Sequence, residues 1–184
     1  MVRGHRRQFQ CCGSTRSHPF THGSQRHKQG RLEPAELVIV DEQNNVIDGR
    51  GRASAETTLH LEIIRQLKCG AVLHTHSIEA TVLSDHYARV GTIQLKGWEM
   101  LKGLKGITSH ETSIDIPIVS NNQNIKELSQ TVRPYLSSNL PGLLVAGHGL
   151  YAWGNSLTEA QRHVEILEFL FSVLLQKKLL ESNS

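Results

Sequence analysis

Between Ala71 and Ala80 the chain reads AVLHTHSIEA, an apolar run closing on two histidines one residue apart, just ahead of a serine that can begin a helix. In a strand, successive side chains face opposite ways, so Val72, His74 and His76 share one face while Ala71, Leu73 and Thr75 share the other. Ser77 is a good N-cap for a helix running to about Ala88. A strand that passes directly into a helix and carries two imidazoles to its carboxyl end points to an α/β fold. An H-x-H pair there offers a divalent metal two nitrogen ligands without moving the backbone, and zinc, about 2.0–2.1 Å from each, is the usual occupant. The competing reading is two packed, hydrogen-bonded histidines among the 11 in the chain.

Working outward, ELVIV from Glu36 reads as a buried strand, DEQNN as a turn, and VID as the returning strand of a hairpin. Ser54 is expected to cap a helix through AETTLHLEIIRQLKC, with Leu59, Ile63 and Leu67 at helical spacing and Gly70 at its stop. GWEMLKGLKG is a short amphipathic turn or helix, IDIPIV a strand, and Ile125 to Leu136 a helix. GLLVAGHGLYAWG reads as two strand pieces broken at Gly147, His148 and Gly149. Ser156 with Glu159 forms a capping box for a long final helix whose apolar stripe is Ala160, Val164, Leu167, Phe171 and Leu174.

These elements suggest three chemical positions. His148, between glycines after the run LLV, is the best third metal ligand, or else a solvated loop histidine; three histidines would leave zinc open positions for a substrate. Glu99 follows Trp98, and burial against the indole would raise its pKa toward that of a general base; the alternative is a surface pair with Lys102 three residues on. Glu56 is either functional or an acid in the first helical turn, where it offsets the dipole.

The 184 residues fit one domain, and 38% hydrophobic content is ordinary for a globular chain. The net charge of +3 arises at one end: residues before Glu33 include seven Arg or Lys and no acid, leaving the remainder mildly acidic. A nucleic-acid surface on the folded part is therefore not expected. No apolar run reaches the roughly 20 residues of a membrane span, and the chain is expected in the cytoplasm. The odd count of cysteines, Cys11, Cys12 and Cys69, fits a reducing compartment.

The segments SAETTLH, AVLHTHS, GWEMLKGL and LLVAGHGLYAWG, in this order and spacing, resemble the class II aldolase/adducin family, over about Arg26 to the C-terminus. The combination of EMLKG with HG-Y-WG resembles its dehydratase branch. The resemblance implies a three-layer α/β/α sandwich around a largely antiparallel sheet, and a homotetramer acting on a sugar phosphate. It also implies zinc on His74, His76 and His148, Glu99 as catalytic acid/base, and Glu56 and Lys102 facing the substrate. The same scaffold serves sugar-phosphate aldolases and epimerases and the non-catalytic adducin head, which remain alternatives.

Family members carry a loop of the form A-T-x-G-N-F-S that cradles the substrate phosphate, where this chain has MVRGHRRQFQCC. Suitable codons for GHRRQFQC, read one base later, encode Ala-Thr-Ala-Gly-Asn-Phe-Ser. Residues 1–32 are therefore expected to be an aberrant, frame-shifted or disordered basic segment preceding a domain over 33–184. SQRHKQGRL resembles the family's substrate loop and makes Ser24, His27 and Lys28 candidate phosphate contacts.

Overall fold

A computed structural model of the chain describes residues 37–182 and two short strands before them, β1 (Arg7–Gln8) and β2 (Phe20–Gly23). Apart from those strands, the basic segment, with Ser24, His27, Lys28 and the position of the phosphate loop, lies outside the described residues.

The hairpin expected from ELVIV and VID is β3 (Leu37–Val40) and β4 (Val46–Asp48), turned by Asp41, whose carboxylate accepts the Gln43 and Asn45 amides. With β2 it forms an antiparallel sheet of order β2-β3-β4. The remaining strands are β5 (Ala71–Thr75), β6 (Thr92–Lys96), β7 (Ser113–Val119), β8 (Gly142–Val145) and β9 (Gly149–Gly154). They form the main sheet in the order β1-β5-β9-β8-β7-β6, antiparallel throughout except where β7 meets β8.

Alternation of side chains along β5 separates two apolar cores. Ala71 and Leu73 join Leu83 of helix α2 (Ile78–His86) and Val164, Leu167 and Phe171 of helix α4 (Leu157–Ser182). Val72 joins Leu59 and Ile63 of helix α1 (Thr57–Leu67) and Leu128 and Val132 of helix α3 (Ile125–Val132) on the other face. Helices thus cover both faces, which is the expected α/β/α sandwich. Among the described residues no helix is long and apolar enough to cross a membrane.

Local chemistry corrects several boundaries. Helix α1 begins at Thr57, with Glu56 rather than Ser54 at the N-cap position; the Ser54 hydroxyl accepts the Glu56 amide at 3.3 Å and so shapes the turn ahead of the helix. The helix stops at Lys68, in the left-handed region with φ 55°, not at Gly70. Gly70 answers a different need, since a Cβ there would lie 2.1 Å from the Asn155 carbonyl oxygen. Ser77 caps α2 as expected, accepting the Ala80 amide at 3.0 Å. Helix α3 ends at Val132 rather than Leu136, giving way to a 3-10 turn over Arg133–Tyr135 that contains Pro134. Of the Ser156–Glu159 box, the serine half forms, Ser156 Oγ accepting the Glu159 amide at 3.2 Å, while Glu159 Oε2 accepts the amide of Asn155, one residue before the cap, at 2.5 Å.

Candidate metal centre

On the α1/α3 face of the sheet, β5 brings His74 to the strand end, with His76 just beyond it. His74 is fully buried. Its Nδ1–H donates to the Leu150 carbonyl on β9 at 2.8 Å, which leaves Nε2 as a lone-pair atom. Tyr151, its partner in the β5–β9 register, stacks on the ring at 3.9 Å between centroids and 16° between planes. The ring thus has two independent restraints.

His148 arrives from the break between β8 and β9. Gly147 has φ 63°, a conformation that favours glycine, and its amide donates to the Ser84 hydroxyl at 3.1 Å. Thr81 donates to the His148 carbonyl, also at 3.1 Å. Helix α2 thereby holds the turn that presents this ring. Glu56 enters from the start of α1, freed by the Ser54 turn to point at the histidines.

The atoms converge. His74 Nε2 and His76 Nε2 are 2.6 Å apart, and Glu56 Oε1 lies 3.4 Å from His74 Nε2, 3.9 Å from His76 Nε2 and 3.0 Å from His148 Nε2. One ligand atom from each of the four residues falls within 4.8 Å of the others. His74 is buried, while Glu56, His76 and His148 are half-buried, so the cluster opens to one side.

The electrostatics suit a cation. Burial lowers the His76 pKa to about 4, helped by His74 and His148 and opposed by Glu56, so this ring is neutral at neutral pH and offers a lone pair. Burial alone would raise the Glu56 pKa, but its contacts with the imidazoles of His148 and His74 more than offset this and hold the carboxyl well below the usual range. A neutral His76 imidazole and an ionised Glu56 carboxylate are in the protonation states that metal binding requires. Nitrogens aimed at one another without a proton for each contact are what a bound ion relieves. The donor set of Glu56, His74, His76 and His148 therefore fits one divalent metal.

Glu99 is not brought into this cluster, and its expected burial beside Trp98 is not found. It starts the 3-10 turn over Glu99–Gly103 with its side chain 69% exposed, contacting the Lys102 ammonium directly and His110 Nδ1 at 3.3 Å. The hydrogen bond from Lys102 lowers its pKa instead of raising it. Here the i,i+3 pairing outweighs the neighbouring aromatic, because the carboxylate points to solvent. Tyr151, Thr81 and Ser84 were not legible as site residues: each acts through a ring or turn that the folded register alone brings near.

Residues 21–175 match the Class II Aldolase and Adducin N-terminal domain. Two proteins named methylthioribulose-1-phosphate dehydratase are similar. That of Xanthomonas campestris pv. campestris (strain 8004) is 42% identical over 144 residues, covering 77% of this chain and 66% of its own length, just under two thirds. That of Yersinia enterocolitica serotype O:8 is 46% identical over 159 residues, covering 84% and 75%. Among solved structures, l-fuculose-1-phosphate aldolase from Thermus Thermophilus superposes with a TM-score of 0.74 at 22% identity, over 98% of this chain and 88% of that one. A sugar-phosphate aldolase from Thermotoga maritima does so with a TM-score of 0.62 at 18% identity, over 94% and 76%. At those identities the structures speak for the fold alone, whereas the sequence match extends over most of the chain and includes all four converging residues: the chain belongs to the class II aldolase and adducin family.

Proposed function

We propose that this chain is a lyase, a zinc-dependent hydro-lyase that removes water from 5-methylthioribulose 1-phosphate to give 2,3-diketo-5-methylthiopentyl 1-phosphate, a step of methionine salvage. The observation that carries the reading is the convergence of three imidazoles and a carboxylate within 4.8 Å in a cluster open on one side. The names of relatives at 42% and 46% identity support the substrate.

In this reading His74, His76 and His148 hold the ion. When bound, zinc supplies a Lewis acid toward the substrate ketone. Loss of water across the third and fourth carbons begins with removal of the proton alpha to that ketone. Glu99, kept ionised by Lys102, takes this proton and returns one to the hydroxyl leaving the fourth carbon; the enol then tautomerises to the diketone. Lys102 places a positive charge beside the carboxylate that exchanges the proton. Glu56, ionised beside the histidines, faces the substrate. The enzyme is cytoplasmic and assembles as a homotetramer, its partners being the sugar phosphate and further copies of itself rather than nucleic acid or a membrane.

The test is product analysis after incubating the zinc-loaded chain with 5-methylthioribulose 1-phosphate. Loss of one water with appearance of the diketone supports the reading. Two carbon fragments would assign the chain to the aldolases, an isomer of unchanged mass to the epimerases, and a protein that binds no metal to the adducin-like scaffolds.

A further inference from the structure

Thr75 lies between the two histidines of the H-x-H pair and points to the opposite face of the sheet, against α4. There its buried hydroxyl donates directly to the carboxylate of Glu168. Glu168 is a misfit in its own helix. It sits four residues after Val164 and three before Phe171, on the side of α4 that packs against the sheet, next to the fully buried Leu167. A half-buried carboxylate in an apolar stripe costs stability relative to leucine unless it is hydrogen-bonded, and among the described residues the bond found for it is the one to Thr75.

We propose that Glu168 is a positioning residue for the metal centre, acting through the Thr75 hydroxyl to fix the end of β5 at the separation of His74 and His76 that a single ion requires. The inference rests on the reading of the histidine cluster as a metal site. The geometry gives it force: β5 ends at Thr75, so His76 has left the ladder that holds His74, and the Thr75 side chain is the last restraint before it. On the ligand face, His74 is held by Leu150 and Tyr151. On the far face, Glu168 grips the residue between the ligands. Groups behind metal ligands tune affinity without touching the ion.

The test uses the full chain stripped of metal by a chelator. Zinc affinity is measured by competition with a chromophoric chelator, and the visible spectrum is recorded after loading with Co²⁺, whose bands report coordination geometry. Glu168→Leu should weaken zinc binding about 10–100-fold and shift the Co²⁺ bands, although its metal-free thermal midpoint equals or exceeds that of the wild type. Glu168→Gln, which keeps an acceptor oxygen, should recover most of the affinity. Thr75→Val cuts the same link from the strand side, should weaken binding to a similar degree, and serves alone if Glu168→Leu does not fold. Wild-type affinity and Co²⁺ spectrum in Glu168→Leu, or in Thr75→Val, would overturn the proposal while leaving the metal centre intact. Failure of the wild type to bind either metal would instead overturn the metal-centre reading and this inference with it.

Discussion

His74 has the least freedom in the cluster: it is fully buried, donates from Nδ1 to Leu150 and lies flat on Tyr151, so its Nε2 can point only toward His76, His148 and Glu56. Glu99 is its opposite, an exposed carboxylate paired with Lys102 and His110. Under the proposed function, this contrast separates metal binding from proton transfer. Glu99→Gln keeps the size of the side chain but removes the base, so turnover should fall about 10²–10⁴-fold while zinc content measured by emission spectroscopy stays at the wild-type level. A near-normal rate would return Glu99 to a surface role. The residues also show what local sequence carries. The H-x-H spacing announced His74 and His76 because a strand places alternate side chains together whatever the fold. Neither the protonation of Glu99 nor the value of Tyr151 was legible, because each depends on a neighbour that only the folded chain supplies.

Among the elements, the β5–β9 pair is the most demanding. Gly149 stands so close to the end of β5 that a Cβ would lie 2.1 Å from the Thr75 carbonyl oxygen and 3.1 Å from the His76 ring. Gly149→Ala should therefore push β9 away from β5 where the ligands sit. The expected result is a loss of about 1–3 kcal/mol in a denaturant melt, the usual cost of forcing extra volume into a packed site, together with reduced zinc content. An alanine variant with wild-type stability and metal would show that the strands part more easily than their packing indicates. Most elements were readable from hydrophobic period and caps, Ser77 and the Ser156–Glu159 box being the clearest. Strand β6 was missed because only Ile93 and Leu95 are buried in it, and two apolar residues are too few to establish a period. The start of α1 was misplaced because Ser54 looks like a cap, whereas its hydroxyl holds the turn that releases Glu56.

For the whole molecule, the fold should weaken in mild acid. Burial holds the His163 pKa below its usual value, opposed by its hydrogen bond to the Trp153 carbonyl at 2.7 Å and by Glu159. The unfolded chain then binds more protons than the folded one as pH falls below about 6.5, so stability present at pH 7 is lost on acidification. His76, with its pKa lowered to about 4, acts in the same direction. His163→Gln keeps a donor without titrating in this range, and the dependence of metal-free stability on pH between 7 and 5 should become shallower by up to about 1.4 kcal/mol per pH unit. An unchanged slope would mean that His163 titrates normally in the fold. The central claim is that one metal ion held by His74, His76 and His148 is the seat of the chemistry. Zinc content and diketone formation, measured together on the wild type and on the His74→Ala, His76→Ala double variant, test it most directly. The account predicts one zinc per wild-type chain and turnover of 5-methylthioribulose 1-phosphate, with both lost in the double variant; equal zinc in the two proteins, or equal turnover, would contradict it.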